Sequence, residues 1–245
     1  MPLLEVQGLS KHFGGLVAND RIDLRVDKGE IVGLIGPNGA GKTTLFNCIA
    51  GFYPPTAGNV QFKGEDITGL PANEICLRGI ARTFQIVRVF KDMSVLDNVM
   101  VGAFSRTNSA VRAKQKALEV LDFCGLTAKK SLLAGGLTIA DKKRLEFTKA
   151  LATDPSLLML DEAIAGLNQT ETAEAVELVK KVRESGITVL LVEHVMEVVM
   201  PISSRVVVLE YGKKIAEDIP EKVIHNEGVI KAYLGDKYHA SRRAH

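Results

Sequence analysis

The chain has 245 residues, of which 46% are hydrophobic and 24% charged, and its formal net charge is +2. This composition is typical of a soluble globular chain with an α/β core. The net charge is too small to indicate nucleic acid as a partner, and none is expected. Its three cysteines are far apart and odd in number, which predicts neither a zinc site nor a disulfide framework and favours a reducing compartment.

The first part of the chain has the pattern of strands joined by turns. Apolar periodicity predicts strands over residues 4–9, 22–26, 31–35 and 60–63. The third of these is apolar at almost every position, as a strand buried on both faces requires. A helix is expected over residues 44–50, because Gly51 follows it and Pro54 and Pro55 forbid its continuation.

The loop between the third strand and this helix matches the pattern G-x-x-x-x-G-K-[ST]. Its glycines let backbone N–H groups point at phosphate oxygens, and the helix N-terminus adds partial positive charge. Lys42 is expected to reach the β- and γ-phosphates and the Thr43 hydroxyl to bind Mg²⁺. A plain turn would leave this lysine and threonine unexplained. The predicted nucleotide-binding residues are Gly36, Asn38, Gly39, Ala40, Gly41, Lys42, Thr43 and Thr44.

The middle of the chain changes to helical periodicity. Helices are predicted over residues 111–124 and 142–151, the first with Ala117, Leu118, Leu121 and Asp122 near one stripe. We interpret residues 89–152 as a helical subdomain inserted into an α/β core made of residues 1–88 and 153–245. The chain then carries one nucleotide-binding unit over residues 1–245.

Two acids follow the buried strand predicted over residues 157–160. Ligands bind at the carboxyl ends of such strands, so we expect Asp161 near Mg²⁺ and Glu162 in a position to accept a proton from attacking water. The alternative is that both are solvated loop residues. Beyond them, Asn168 and Glu171 form a capping-box pattern that predicts a helix ending at Gly186.

Two more polar residues stand at the ends of predicted elements. His194 follows the strand predicted over residues 188–192 and is expected to hydrogen-bond the γ-phosphate, although a histidine there is more often structural. Gln85 lies where the strands give way to the helical segment and is expected to contact Mg²⁺ or its water. A last strand is predicted over residues 205–209.

This set of residues resembles the ATP-binding-cassette (ABC) ATPase family over nearly the whole chain. The matching motifs are Walker A at residues 36–44, the Q-loop residue Gln85, Walker B at 157–161, the catalytic Glu162, the D-loop at 165–168 and the switch residue His194. The resemblance implies a P-loop NTPase (RecA-like) core with an antiparallel β subdomain and an inserted α-helical subdomain. It also implies that Phe13 stacks on adenine, that Glu162, His194 and Gln85 are catalytic, and that Thr43, Gln85 and Asp161 bind the metal.

Finer segments are similar to the ATPase subunits of branched-chain amino-acid importers. These segments are residues 46–53, 82–90, 165–168 and 229–235. This branch implies an ATP-binding and hydrolysing subunit that uses Mg-ATP to energise uptake of branched-chain or other hydrophobic amino acids. It implies a second ATPase subunit, two membrane permeases and an extracytoplasmic binding protein, with this chain peripheral at the cytoplasmic face of the membrane. Contact with the membrane is expected through partners, since the sequence has no apolar run of 18 residues.

The signature motif departs from the family. Where Leu-Ser-Gly-Gly-Gln is expected, the chain has the segment 137–141, Leu-Thr-Ile-Ala-Asp. The segment 133–137 looks closer to the motif but stands four residues early. Asp141 adds a carboxylate that we expect Lys142, Lys143 and Arg144 to offset in part, while Thr138 and Asp141 also fit a capping box.

This departure leaves several functions open. We expect a heterodimer rather than a homodimer of ATPase subunits, with poor hydrolysis by this chain alone. A nucleotide-binding regulatory subunit with weak hydrolysis is the alternative. A P-loop GTPase or small-molecule kinase is a third reading, but the sequence has no Asn-Lys-x-Asp motif and Gln85, Glu162 and His194 would then lack a role.

Overall fold

A computed structural model describes residues 1–234, so that Gly235 of the branch-like segment and the basic tail, residues 237–245, lie outside the described residues. The strands are β1 Leu4–Phe13, β2 Leu16–Val26, β3 Ile31–Ile35, β4 Ala57–Phe62, β5 Glu65–Asp66, β6 Ile80–Arg82, β7 Leu157–Asp161, β8 Thr188–Val192, β9 Arg205–Glu210 and β10 Lys213–Asp218. The α-helices are α1 Lys42–Ile49, α2 Ala72–Arg78, α3 Val95–Ala103, α4 Ala110–Phe123, α5 Ile139–Leu151, α6 Gln169–Glu184, α7 Met196–Val199, α8 Pro220–Val223 and α9 Glu227–Leu234.

The chain divides into two compact units. The first contains Met1–Leu70 together with the chain from Leu190 onward, and the second contains Pro71–Val189. The second unit therefore includes more than the helical subdomain predicted at residues 89–152, whose boundaries stay a prediction. Within residues 1–234, no helix is long and apolar enough to cross a bilayer.

The first unit combines antiparallel and parallel pairing. Four strands form an antiparallel sheet in the order β2-β1-β4-β5. β3 pairs in parallel with β9, which pairs antiparallel with β10. Every residue of β3 is buried, as its unbroken apolar sequence predicts. This buried strand ends where the glycine-rich loop begins.

The second unit places helices beside a parallel strand pair. β6 and β7 run in parallel, with Ile80 opposite Leu157 and Arg82 opposite Met159. The helices α3, α4 and α5 pack on one another around side chains that solvent does not reach. These include Val95, Val99, Ala117, Leu121 and Leu145.

The predicted helices are present, but the buried face of α4 and the first residue of α5 differ from the prediction. The stripe predicted on α4 is wrong at Asp122, which is exposed, because the buried face continues instead through Ala113, Ala117 and Val120. The helix predicted to begin at Lys142 begins at Ile139, since Thr138 caps it. The capping box of α6 is confirmed, because Asn168 and Glu171 each accept the other's backbone N–H at 3.0 Å.

The contact between α3 and α5 yields a stability prediction. A Cβ at Gly102 would lie 2.3 Å from the carbonyl oxygen of Lys149, so Gly102→Ala must push the helices apart. We expect a loss of about 1–3 kcal/mol in the free energy of unfolding from overpacking, partly offset by about 1 kcal/mol of helix propensity. Denaturant unfolding of the full chain measures it. Gly136→Ala is the control, because a Cβ at Gly136 meets nothing within 4 Å; equal midpoints for both variants would contradict the packing argument.

Candidate active site

Two glycines shape the loop that follows β3. Gly36 has a φ of 149°, and a Cβ there would lie 2.1 Å from the carbonyl oxygen of Leu209. Gly41 has a φ of 97°, and its Cβ would lie 2.4 Å from the carbonyl oxygen of Ala18. Only glycine tolerates both the backbone conformation and the approach. Gly41 immediately precedes α1, so its conformation turns the loop into a helix whose N-terminus favours anions.

Side chains hold both ends of this loop. The buried Lys42 donates from Nζ to the carbonyl oxygens of Gly36 at 2.7 Å and Pro37 at 3.0 Å. Asn19, fully buried on β2, donates from Nδ2 to the carbonyl oxygen of Gly41 at 3.1 Å. Asn19 could not be predicted, because a lone asparagine in a strand matches no pattern.

The other predicted phosphate-binding residues differ in exposure. Asn38, Gly39 and Thr43 are exposed, Thr44 is half-buried and Ala40 is buried. The middle of the loop and the Thr43 hydroxyl at the start of α1 therefore face solvent, while the Ala40 side chain is buried. This arrangement suits a ligand that approaches from solvent and is held by backbone N–H groups.

An aromatic pair stands at the end of β1. The Phe13 ring is 42% exposed and packs edge-on against Tyr53, with centroids 5.3 Å apart and an interplanar angle of 83°. Lys11 Nζ lies 5.0 Å from the Phe13 ring and 5.8 Å from the Tyr53 ring, and donates to the carbonyl oxygen of Pro54 at 2.8 Å. A flat base can stack on such exposed rings. Sequence reasoning did not predict a role for Tyr53 beside Phe13, although Tyr53 is the last residue of the branch-like segment 46–53.

In the second unit, the first acid after Leu160 is deeply buried. Asp161 is 1% exposed, and its Oδ2 accepts from Arg82 Nη2 at 2.8 Å. Its backbone N–H donates to Thr83 Oγ1 at 3.2 Å. A buried carboxylate is costly unless it is paired, so Arg82 at the end of the neighbouring β6 compensates the charge. Sequence reasoning missed Arg82, which lies in the branch-like segment 82–90.

The structure brings together two predicted catalytic residues. Gln85 Nε2 donates to Glu162 Oε2 at 2.8 Å. Glu162 has a φ of 49°, a left-handed conformation that is unfavourable for a side chain with a Cβ. Lys143 on α5 fixes this turn, because its Nζ donates to the carbonyl oxygens of Glu162 at 3.1 Å and Ala165 at 2.6 Å. His194 lies in the first unit, exposed and just beyond β8, and its role stays a prediction.

The altered signature forms the start of α5. Thr138 Oγ1 accepts the backbone N–H of Asp141 at 3.1 Å and donates to Asp141 Oδ2 at 3.0 Å. Lys129 Nζ lies 2.6 Å from both carboxylate oxygens of Asp141. The expectation that residues 142–144 offset this charge is corrected for two of the three. Lys143 binds the carbonyl oxygens of Glu162 and Ala165, and Arg144 binds Glu174. The compensating cation, Lys129, is the last residue of a short 3-10 helix, Thr127–Lys129, that precedes α5.

A buried acid on α5 was also missed from the sequence. Glu146 is 3% exposed, and burial raises the pKa of its carboxyl above the usual range, while the backbone N–H of Arg88 and the charge of Lys149 act in the other direction. Burial lowers the pKa of the Lys149 ammonium. The sequence pattern does not indicate that Glu146 is buried, since a single glutamate in a charged helix is usually exposed to solvent.

Two family models match the chain. The model described as ABC transporter matches residues 19–165. The model described as branched-chain amino acid ATP-binding cassette transporter matches residues 213–239. The second match extends over β10, α8 and α9, beyond the residues that carry the nucleotide motifs.

Curated relatives are similar along almost their entire length. The high-affinity branched-chain amino acid transport ATP-binding proteins BraF of Pseudomonas aeruginosa and LivG of Escherichia coli are each 43% identical over 251 residues, covering 96% of this chain and 98% of the relative. A solved nucleotide-free ATP-binding cassette from an ABC transporter superposes with a TM-score of 0.88 at 31% identity, over 96% of this chain and 100% of that one. These figures confirm the predicted fold class.

The buried pair of Asp161 and Arg82 yields a prediction. Arg82→Met leaves the carboxylate unpaired and should lower the free energy of unfolding by about 3–5 kcal/mol. Adding Asp161→Asn should recover part of that loss, because the amide carries no charge. Denaturant unfolding of both variants without nucleotide measures the difference.

Arg25→Met is the control, because Arg25 pairs with Asp27 in solvent, where its side chain is 59% exposed. It should leave the unfolding midpoint unchanged. If Arg82→Met were as harmless as this control, the buried pair would not be a determinant of stability.

Proposed function

The chain belongs to the ABC transporter family of ATP-binding proteins, and from this premise we propose that it is the ATP-hydrolysing subunit of an importer of branched-chain or other hydrophobic amino acids. The observation that carries the proposal is the 43% identity to BraF and LivG over 96% of the chain. The separate match of residues 213–239 to the branched-chain transporter model supports the same branch. Coupling to transport then occurs through membrane permeases.

In this proposal the first unit binds the nucleotide. The N–H groups of residues 38–44 and the N-terminus of α1 bind the phosphates, while Lys42 exchanges the carbonyl oxygens of Gly36 and Pro37 for phosphate oxygens. Phe13 stacks on the adenine, with Tyr53 and Lys11 holding its ring in place. His194 hydrogen-bonds the γ-phosphate. A solved cassette similar to this chain is in its ADP conformation, at 31% identity and a TM-score of 0.88.

The proposed metal is Mg²⁺, and the chemistry of the chain fits it. The candidate ligands are the Thr43 hydroxyl, the Asp161 carboxylate and the Gln85 amide, all oxygen donors of the kind Mg²⁺ prefers. The buried Asp161 carboxylate already binds one cation, Arg82, so its surroundings accept positive charge. When bound, Mg²⁺ neutralises charge on the phosphates.

The proposed base is Glu162. Its carboxylate is held by Gln85 Nε2 at 2.8 Å and its backbone by Lys143, so the group that accepts a proton from the attacking water has a fixed direction. A regulatory subunit with weak hydrolysis is not favoured, because the relatives are transport ATP-binding proteins and the candidate base, metal-binding acid and P-loop lysine are all present.

The test of this assignment separates hydrolysis from binding. Glu162→Gln keeps the size and the hydrogen bonds of the side chain but cannot take a proton. It should bind ATP normally and hydrolyse it at least about 100-fold more slowly. Calorimetry and phosphate release, on the chain assembled with its permeases and second ATPase, measure both quantities.

Lys42→Ala is the matched comparison. It removes a charge-assisted phosphate contact worth about 1.5–3 kcal/mol, so ATP affinity should fall about 10- to 150-fold. Wild-type hydrolysis by Glu162→Gln would overturn the role of the base, and wild-type affinity in Lys42→Ala would overturn the nucleotide site.

The proposal includes a second, different ATPase subunit. In ABC dimers, the signature of one subunit contacts the nucleotide on the other, with its hydroxyl, glycine N–H groups and helix N-terminus at the γ-phosphate. Here Ala140 adds a Cβ, and the Asp141 carboxylate already accepts from Thr138 and Lys129. We therefore propose a heterodimer with one dominant site, an extracytoplasmic binding protein, and a position at the cytoplasmic face of the membrane.

Restoring the signature tests this asymmetry. Ala140→Gly with Asp141→Gln removes the Cβ and the carboxylate, and should raise ATP hydrolysis by the isolated chain by about 10-fold or more. Asp154→Asn removes an exposed carboxylate of the same unit and should change nothing. The asymmetry is contradicted if the double variant gains no activity, or if the isolated wild-type chain already turns over at about 1 s⁻¹ or faster.

A further inference from the structure

The carboxylate of Glu146 bridges two backbone positions of the Q-segment, defined as residues 84–90. Its Oε1 accepts the N–H of Phe84 at 3.1 Å, and its Oε2 accepts the N–H of Arg88 at 3.3 Å. The side chain is 3% exposed. In a site of low polarity, a carboxylate that accepts backbone N–H groups is a strong anchor, and its loss leaves buried donors unpaired.

The two anchored positions flank Gln85. Phe84 precedes it directly, and Arg88 follows three residues later. Gln85 itself is exposed and reaches Glu162 Oε2 at 2.8 Å. Because one carboxylate fixes the segment on both sides of Gln85, the position of that amide depends on where α5 holds Glu146.

Further contacts fasten the rest of the Q-segment to the same unit. Lys149 Nζ, one turn beyond Glu146 on α5, donates to the carbonyl oxygen of Arg88 and lies 5.1 Å from the Phe90 ring. Asn98 on α3, which is fully buried, accepts the N–H of Phe90 at 2.8 Å and donates to its carbonyl oxygen at 3.0 Å. Residues 85–87 therefore lie between the two positions that Glu146 binds, Phe84 and Arg88.

The same face of α5 also holds Glu162, the residue that Gln85 contacts. Lys143 stands three residues before Glu146, on the same side of the helix, and donates to the carbonyl oxygens of Glu162 and Ala165. This contact fixes a turn in which Glu162 has a φ of 49°. One helix therefore positions both the base and the amide that contacts it, through cationic and anionic groups one turn apart.

We propose that Glu146 is a positioning residue for hydrolysis, which bridges the backbone N–H groups of Phe84 and Arg88 and so holds Gln85 against Glu162. The proposal rests on the proposed function, in which Glu162 is the base. Glu146 touches no reacting atom, so its removal should lower kcat while leaving KM for ATP nearly unchanged. A merely structural role would instead reduce stability and the fraction of active protein without moving the Q-segment.

The test compares Glu146→Ala, Glu146→Gln and Thr148→Val. Glu146→Ala removes both acceptors. Glu146→Gln keeps one acceptor but turns an N–H₂ group toward the other backbone donor, so it should retain an intermediate effect and serves if the alanine variant fails to fold. Thr148 is a fully buried neighbour on α5 that hydrogen-bonds within the helix, to the carbonyl oxygen of Arg144, so Thr148→Val is the control for helix burial.

Two readouts decide the proposal. Hydrogen–deuterium exchange of the full chain should show the amides of Phe84 and Arg88 exchanging at least about 10-fold faster in Glu146→Ala, with α6 unchanged. ATP hydrolysis by the chain assembled with its permeases and second ATPase should show kcat at least about 10-fold lower with KM within about twofold. Thr148→Val should match the wild type in both.

Several results would overturn it. A wild-type kcat in Glu146→Ala, faster exchange without a loss of kcat, or a loss of kcat without faster exchange would each remove the positioning role. An equal effect of Thr148→Val would assign the loss to the helix as a whole. Glu162→Gln in the same assay keeps the two claims apart, because wild-type hydrolysis by that variant contradicts the proposed function and not the anchor alone.

Discussion

The buried carboxylate of Asp161 is the constraint on which the second unit depends. An acid that is 1% exposed must be compensated, and the parallel register of β6 and β7 provides the compensation by bringing Arg82 to the same end of the sheet. The Q-segment follows Arg82 in the chain. The charge at the end of β7 therefore decides where that segment starts, and hence which groups can reach Glu162.

The loop after β3 follows a similar principle in the first unit. Its charged group, Lys42, is buried and hydrogen-bonded to the backbone carbonyls of Gly36 and Pro37. In the proposed function a phosphate would replace these partners rather than add to them, so the gain in free energy would be a difference between two sets of hydrogen bonds. At Gly36 and Gly41 the loop passes so close to the backbone of β9 and β2 that a Cβ would not fit, so both positions require glycine.

Sequence reasoning predicted the elements with a regular apolar periodicity and the residues that belong to a known motif. The apolar run of β3 and the capping box of α6 were predicted, because periodicity and motif spacing encode them. Gln85 and Glu162 were each predicted as catalytic residues, but the hydrogen bond between them was not. Arg82, Lys129 and Glu146 were missed, since their roles come from long-range packing: Arg82 pairs with an acid 79 positions away, and Glu146 binds backbone groups 62 and 58 positions away. A side chain that serves a distant backbone N–H leaves no local pattern.

In the proposed function, this chain hydrolyses ATP to drive amino-acid uptake. This coupling can be measured as uptake of labelled leucine, isoleucine and valine into proteoliposomes that contain the permeases and second ATPase, with ATP inside and the binding protein outside. Uptake should require both this chain and hydrolysable ATP, and should cease with a non-hydrolysable analogue. Equal uptake without this chain, or with the analogue in place of ATP, would contradict the account.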